Sequence, residues 1–246
     1  MISPLAYVDP AAQIGQNVEI GPFVYIEGDV RIGDDCVIMP HVSILNGATI
    51  GARNVIHQNT VICAEPQSFH FEKGQQPHVV IGDDNVIREN VLITGSNRTE
   101  DATRIGNHSV LGISASIAGV CVIDDYAILS SSTIVQRGVR IGKFALLQSG
   151  CRVKRDVIPY GIFGGNPAAY HGVNTKVLST VRPETDERLL RHIANAFRMI
   201  TAGNFSLEDA EIKIKEQIPL SPEIEDITRF ITSSENGVIR YAAEKA

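Results

Sequence analysis

The stretch IGQNVEIGPFVYIEGDVRIGDDCVIMPHVSILNGATIGARNVIHQNTVI, residues 14–62, carries isoleucine at 14, 20, 26, 32, 38, 44, 50, 56 and 62 without a miss. The phase resumes one residue late at Ile81, Ile87 and Ile93. It then runs from Ile105 through Leu111, Ile117, Ile123, Leu129, Val135, Ile141 and Leu147 to Val153. Four residues after most anchors stands a small or β-branched side chain, such as Val18, Cys36, Ala115 or Ala145. Glycine often follows the anchor, as at Gly15, Gly33, Gly51 and Gly82. A period of six fits neither the 3.6 of a helix nor the 2 of a strand. It fits a triangular solenoid in which each hexad is one short strand and one corner, three hexads to a coil. The expected fold is an all-β solenoid of hexapeptide repeats, a parallel β-helix of about seven coils over residues 1–160, followed by an α tail.

Two segments interrupt the period. Residues 63–80 read CAEPQSFHFEKGQQPHVV, and residues 94–104 skip an anchor. A solenoid needs no such loops, so excursions of this length are expected to cover a ligand or a neighbouring subunit, against the alternative of a tolerated insertion. After Val153 the hexads stop. Pro159, Gly161, Gly164, Gly165 and Pro167 mark 161–182 as a transition loop. From 183 to 246 the period is helical. Leu190, Ile193, Phe197 and Ile200 share one face; Ser206 caps a second helix; Pro222 opens a third bearing Ile224, Ile227, Phe230 and Ile231. These apolar stripes read as packing faces.

Across 246 residues the net charge is −6, which argues against a general nucleic-acid binder. The charge is uneven: residues 134–182 hold eight basic side chains against Asp156 alone. No run approaches a membrane span, and the N-terminus lacks the layout of a signal peptide, so a cytoplasmic protein without stable membrane insertion is expected. Cys36, Cys121 and Cys151 fall in the small inward slot and read as buried thiols; Cys63, at the mouth of the long loop, reads as the exposed one. His41 and His57 occupy different hexad phases, so a three-imidazole zinc site is not expected, and no cofactor is implied.

Segments in a fixed order along the chain carry a resemblance. They are IGPF at Ile20–Phe23, PQ at Pro66–Gln67, IGDDNVIREN at Ile81–Asn90 and DDYAI at Asp124–Ile128. GGNPA at Gly164–Ala168, GVN at Gly172–Asn174 and NGVIR at Asn236–Arg240 follow. With the helical tail they make the chain similar, over nearly its full length, to the acyl-carrier-protein-dependent UDP-N-acetylglucosamine O-acyltransferases of lipid A synthesis. The resemblance implies a left-handed β-helix and a homotrimer with active sites in clefts between subunits. It implies acyl transfer from acyl carrier protein to the 3-hydroxyl of a nucleotide sugar, with a histidine as general base.

That histidine lies in a stretch whose counterpart here is GISASIAGVCVIDD, Gly112–Asp125. Ser116, Gly119 and Val120 stand where a histidine belongs, the chain is one 18-residue coil short of that pattern, and no histidine falls between 109 and 170. His57, His70 and His78 are then the candidate replacements. By the same resemblance the nucleotide sugar falls to Gln67, Ser68, Gln136, Arg137, Asn174 and Lys176. Several of these differ from the family pattern, which has Asp at 68, His-Gln-Phe at 136–138 and an arginine pair after GVN. The basic block, with Arg140, Lys143, Arg152, Lys154 and Arg155, suits an acidic carrier protein, against the competing reading of a solvated face. Two functions remain open: an acyltransferase acting on UDP-N-acetylglucosamine or a related UDP-amino sugar, and a non-catalytic trimer that binds nucleotide sugar or carrier.

Overall fold

The structure, a computed structural model, describes residues 1–68, 71, 74–96, 101–201 and 205–240. The hexads form a three-sided prism whose faces are parallel sheets. The first contains β1 (Tyr7–Val8), β4 (Tyr25–Ile26), β7 (Ser43–Ile44), β10 (Val61–Ala64), β13 (Leu92–Thr94), β16 (Ser116–Ile117), β19 (Ile134–Val135) and β22 (Arg152–Val153). The second contains β2 (Gln13–Ile14), β5 (Val30–Ile32), β8 (Ala48–Ile50), β11 (Val79–Ile81), β14 (Thr103–Ile105), β17 (Val122–Ile123) and β20 (Arg140–Ile141). The third contains β3 (Glu19–Ile20), β6 (Val37–Ile38), β9 (Val55–Ile56), β12 (Val86–Ile87), β15 (Val110–Leu111), β18 (Ile128–Leu129) and β21 (Leu146–Leu147). These strands make seven three-strand coils, with β22 beginning an eighth, in a left-handed parallel β-helix.

Each anchor pairs in register with the anchor one coil away, as Ile26 with Ile44 and Ile44 with Ile62. The aliphatic columns from Ile20 to Val153 are buried. A buried isoleucine contributes about 1.5–3 kcal/mol relative to an exposed one, so the columns set the register. The corners use left-handed backbone even at non-glycine residues. One edge runs through Asn17, Asp35, Arg53, Asp84, His108, Tyr126, Phe144 and Tyr160, with φ between 55° and 68°. Such residues each cost about 1 kcal/mol or more, which is sustained because their side chains stack coil on coil. His108, Tyr126, Phe144 and Tyr160 form a continuous stack with ring centroids 4.8, 4.8 and 5.6 Å apart.

Beyond β22 the structure corrects the expected transition loop. Residues 161–182 hold β23 (Gly161–Gly164), β24 (Ala169–Val173) and α1 (Thr175–Val181). β23 extends the third sheet beside β21, and β24 turns back antiparallel upon it. The three helices of the tail follow the sequence reading: α2 (Glu187–Thr201), α3 (Leu207–Gln217) and α4 (Pro222–Thr232). Ser206 Oγ accepts from Asp209 N at 3.0 Å and Pro222 opens α4, with Ser221 as its cap.

The tail folds back onto the prism, and this fixes two residues of the basic block. Lys143 Nζ lies 2.5 Å from Asp226 Oδ2, which also accepts from Tyr160 OH at 2.6 Å. Arg140 donates to the carbonyl and hydroxyl of Ser233, both at 3.0 Å, and sits 4.4 Å above the Phe230 ring. Buried Asp156 accepts from Arg140 N, Ser234 Oγ and Asn236 Nδ2, and so ties the C-terminal strap to the last coil. Among the described residues no helix is long and apolar enough to cross a membrane.

Candidate active site

The long loop leaves the prism after β10 and returns at β11, so its two ends meet at the corner between the first and second sheets. Its return is anchored by Pro77. The Pro77 carbonyl accepts from Cys63 Sγ at 3.5 Å, and a Cβ added at Gly47 (φ +88°) would overlap that oxygen. Cys63 is therefore buried at 1% exposure rather than exposed, and its thiol also donates to Asn46 O at 3.2 Å. Burial pushes this thiol up to about 12, which removes it as a nucleophile at neutral pH. Cys36, Cys121 and Cys151 are buried as expected.

The outgoing limb of the loop, Pro66–Ser68, closes over the same corner and makes a cavity of about 120 Å³. Its floor is built from successive coils: Leu92 and Thr94 of β13, Ser116 of β16, Ala118 and Gly119 just beyond it, and Arg137 after β19. Leu92 and Ser116 are paired in register, as are Ser116 and Ile134, so these side chains form outward columns about 4.8 Å apart. Three residues expected at the nucleotide sugar, Gln67, Ser68 and Arg137, thus converge here from points some seventy residues apart in the chain. Leu92, Thr94 and Ala118 were not singled out by sequence. Their signal is the position immediately before or after an anchor, repeated coil by coil at the corner the loop covers.

Gly119 has a definite geometric role. A Cβ there would lie 2.6 Å from the Gly95 carbonyl oxygen, and one at Gly95 would lie 2.4 Å from Pro77 Cβ. The coils and the returning loop approach so closely at this corner that position 119 has no room for a side chain. Of the lining residues, Arg137 alone has a titratable side chain. Chemically, the cavity can bind an anion and donate or accept hydrogen bonds through Gln67, Ser68, Thr94 and Ser116. Its described lining supplies no group that takes up a proton at neutral pH.

The two described candidate histidines, His57 and His78, do not line it. His57 follows β9, at the corner between the third and first sheets, where its Nδ1 lies 3.3 Å from Glu89 Oε1. His78 sits beside the correct corner, and its backbone carbonyl accepts from Ser96 N and Thr103 N. Its side chain is nevertheless not among those facing the cavity. His70 lies outside the described residues.

Glu89 is held by Arg88, which donates from Nε at 2.9 Å and from Nη2 at 3.2 Å. The bidentate guanidinium depresses the carboxyl to about 2 from 4.5. A depressed carboxylate contributes stability that is full above its unfolded value and fades as the pH falls through the folded one. The stability gap between the wild type and Glu89→Gln is therefore expected to shrink between pH 5 and pH 2. Urea midpoints at pH 6, 4 and 2.5 check this; a gap that does not change with pH would count against it.

The remaining candidates are scattered. Asn174 is buried at 2% exposure, and its Nδ2 donates to Phe144 O at 2.9 Å as it leads into α1, so within the protomer it is a structural residue. Gln136 is half-buried beside Arg137, and Lys176 is exposed on α1. Arg152, Lys154 and Arg155 are exposed and together rim a small hollow with Pro167, Ala168 and Ile239, while Arg140 and Lys143 are engaged by the tail. The expected five-residue patch is thus divided: three cations face solvent and two brace α4. Among the described residues no cluster of His, Cys, Asp and Glu is arranged to hold a metal.

Comparison with known proteins agrees along the whole chain. Residues 156–239 match the second domain of UDP-N-acetylglucosamine O-acyltransferases, and residues 11–46 and 29–64 match bacterial transferase hexapeptide repeats. The acyl-[acyl-carrier-protein]–UDP-N-acetylglucosamine O-acyltransferase of Syntrophobacter fumaroxidans is 32% identical over 259 residues, covering 97% of this chain and 99% of that protein. The chain belongs to this family. The enzyme of the same name from Halorhodospira halophila is 35% identical, again over 97% and 99% of the two chains. Among solved structures, the UDP-N-acetylglucosamine acyltransferase of Bacteroides fragilis is 40% identical with a TM-score of 0.83, covering 98% of this chain and all of that one. The Francisella novicida acyltransferase is 28% identical with a TM-score of 0.82, over 98% and 94%. The O-acyltransferase family thus accounts for both prism and tail.

Proposed function

We propose that this protein transfers an acyl chain from acyl carrier protein to UDP-N-acetylglucosamine or a related UDP-amino sugar, in lipid A-type synthesis, as a homotrimer. The observation that carries the reading is the cavity of Gln67, Ser68, Ser116, Gly119 and Arg137, under the long loop of a chain related end to end to such acyltransferases. Arg137 supplies the cation for a diphosphate or phosphopantetheine. The exposed trio Arg152, Lys154 and Arg155 offers an acidic carrier its docking surface.

A described lining without a base favours an acceptor that needs little activation. A hydroxyl nucleophile gains about 10²–10⁴ in rate from a general base, whereas a neutral amine is already nucleophilic. With purified protein and acyl carrier thioester, the 3-amino analogue of UDP-N-acetylglucosamine is expected to be acylated about 10² times faster than the 3-hydroxyl sugar. Product masses check this. Equal rates would mean that a base reaches the cavity, with His78 or a histidine of a neighbouring protomer the first to be replaced. No acylated product from either acceptor would reject catalysis. The same lack of a proton acceptor among the described lining residues favours a second reading, a trimer that binds nucleotide sugar or carrier without turnover; calorimetric binding without product would establish it.

A further inference from the structure

A larger hollow, about 560 Å³, lies outside the acyl-transfer cleft, between the second sheet and α4. Its floor is one outward column of that sheet. Val80 pairs with Arg104, Arg104 with Val122, and Val122 with Arg140. Apolar and cationic side chains therefore alternate at about 4.8 Å steps. The opposite wall is α4, with Asp226, Arg229 and Phe230. The volume is that of a small-molecule site.

Most charges here are already engaged. Lys143 holds Asp226, Arg140 is fixed by Ser233 and Phe230, and Asp125 accepts from Asn107 N and Nδ2 at 2.7 and 3.0 Å. Three groups are not. Among the described residues, no hydrogen bond or ion pair engages the guanidinium of Arg104, that of Arg229 or the carboxylate of Asp124. Asp124 lines the same hollow, half-buried; burial pushes its carboxyl up from the usual range, against the pull of the nearby Arg140 and Lys143 charges. A half-buried acceptor without a donor lacks the partner such groups ordinarily have. Two guanidiniums unpaired among the described residues, one on each wall, offer the donors that a multiply charged oxyanion takes. Val80 and Val122 add an apolar strip of the kind that meets the C–H face of a sugar ring.

We propose that this hollow is a second, non-catalytic ligand site for a sugar phosphate. Its phosphate is held between Arg104 and Arg229, a hydroxyl donates to Asp124, and the ring lies over Val80 and Val122. The proposal does not depend on the acyl-transfer reading. Isothermal titration calorimetry of the full chain with glucose 1-phosphate, inorganic phosphate and glucose tests it. Glucose 1-phosphate is expected to bind once per chain, about tenfold or more tighter than either fragment. Arg104→Ala and Arg229→Ala are each expected to weaken it about tenfold or more, and Asp124→Asn to weaken the sugar phosphate but not inorganic phosphate. Arg137→Ala, in the acyl-transfer cleft, should leave it unchanged. Absence of binding at millimolar ligand would overturn the proposal, as would equal affinity for inorganic phosphate, or loss of binding in Arg137→Ala alone. Should Arg229→Ala disturb the packing of α4, seen as a lowered Tm, Arg104→Ala on the exposed strand decides alone.

Discussion

Gly33→Val is expected to destabilise the protein by about 3 kcal/mol or more, at or above the upper end of ordinary overpacking costs, because the surroundings cannot relieve it. Gly15, Gly33, Gly51, Gly82 and Gly106 form a column along one corner of the prism, each directly after its anchor. A Cβ at Gly33 would lie 2.7 Å from the carbonyl carbon of Gly51 and 2.8 Å from its oxygen and from Ala52 N. These are backbone atoms of the next coil, not the ends of flexible side chains. The coils cannot part to admit them, because Gly33 N donates to Ile50 O and Gly51 N to Ile81 O, both at 2.8 Å. Valine adds two further methyl groups. At about 2–4 °C per kcal/mol for a chain of this size, Tm should fall by roughly 10 °C. Gly150→Ala is the comparison: nothing lies within 4 Å of the new Cβ, and only the backbone at φ +72° resists. Its cost should be nearer 1 kcal/mol. Calorimetric melts of both variants check the pair, and equal losses would mean that backbone conformation, not coil contact, fixes the corner.

The same geometry explains what was legible in the sequence. An inward anchor must recur every six residues because each touches its neighbours one coil away, so the isoleucine period is visible in the chain itself. The helices α2, α3 and α4 are visible for a similar local reason, through the cap at Ser206, Pro222 at the start of α4 and apolar faces at helical spacing. What was hidden depends on contacts distant in sequence. Gly161–Gly164 and Ala169–Val173 become strands because the edge of the third sheet offers β23 a partner. Thr175–Val181, rich in β-branched residues of low helix propensity, forms α1 in a seven-residue piece. Cys63 is buried because Pro77, fourteen residues on, closes over it. Arg140 and Lys143 read as a free basic patch until α4, some eighty residues later, folds onto them. In the cleft, the resemblance singled out Gln67, Ser68 and Arg137, the last two as departures from its pattern, and all three line one cavity. The crowding at Gly119 was not legible, since it depends on how closely the coil of Gly95 approaches.

Arg137→Ala is expected to lower kcat/KM for acyl transfer by about 10- to 100-fold, the equivalent of one charge-assisted contact of roughly 1.5–3 kcal/mol. The residue lies two positions beyond the Val135 anchor, in the place that Gly95 and Gly119 hold after Ile93 and Ile117, and its exposed side chain reaches the cavity from the C-terminal side. If it binds the anionic part of the nucleotide sugar in ground and transition states alike, the loss falls on KM, and the Kd for UDP-N-acetylglucosamine rises by the same factor. Calorimetric affinity reads this whether or not the protein turns over. Arg152→Ala with Lys154→Ala should instead weaken binding of acyl carrier protein, more at low than at high salt, and leave nucleotide-sugar affinity unchanged. Gly119→His is the complementary variant. It places an imidazole at one of the three positions where the resemblance led a base to be expected, yet its Cβ meets the Gly95 carbonyl at 2.6 Å. The coil must shift to admit it, and the shift displaces Ala118 and Ser116 on the cavity floor. The expected result is therefore loss of nucleotide-sugar affinity without gain of hydroxyl acylation. Faster acylation of the 3-hydroxyl sugar in Gly119→His than in the wild type would refute that reasoning and make the lack of an imidazole there, rather than the shape of the cavity, the limit on hydroxyl transfer.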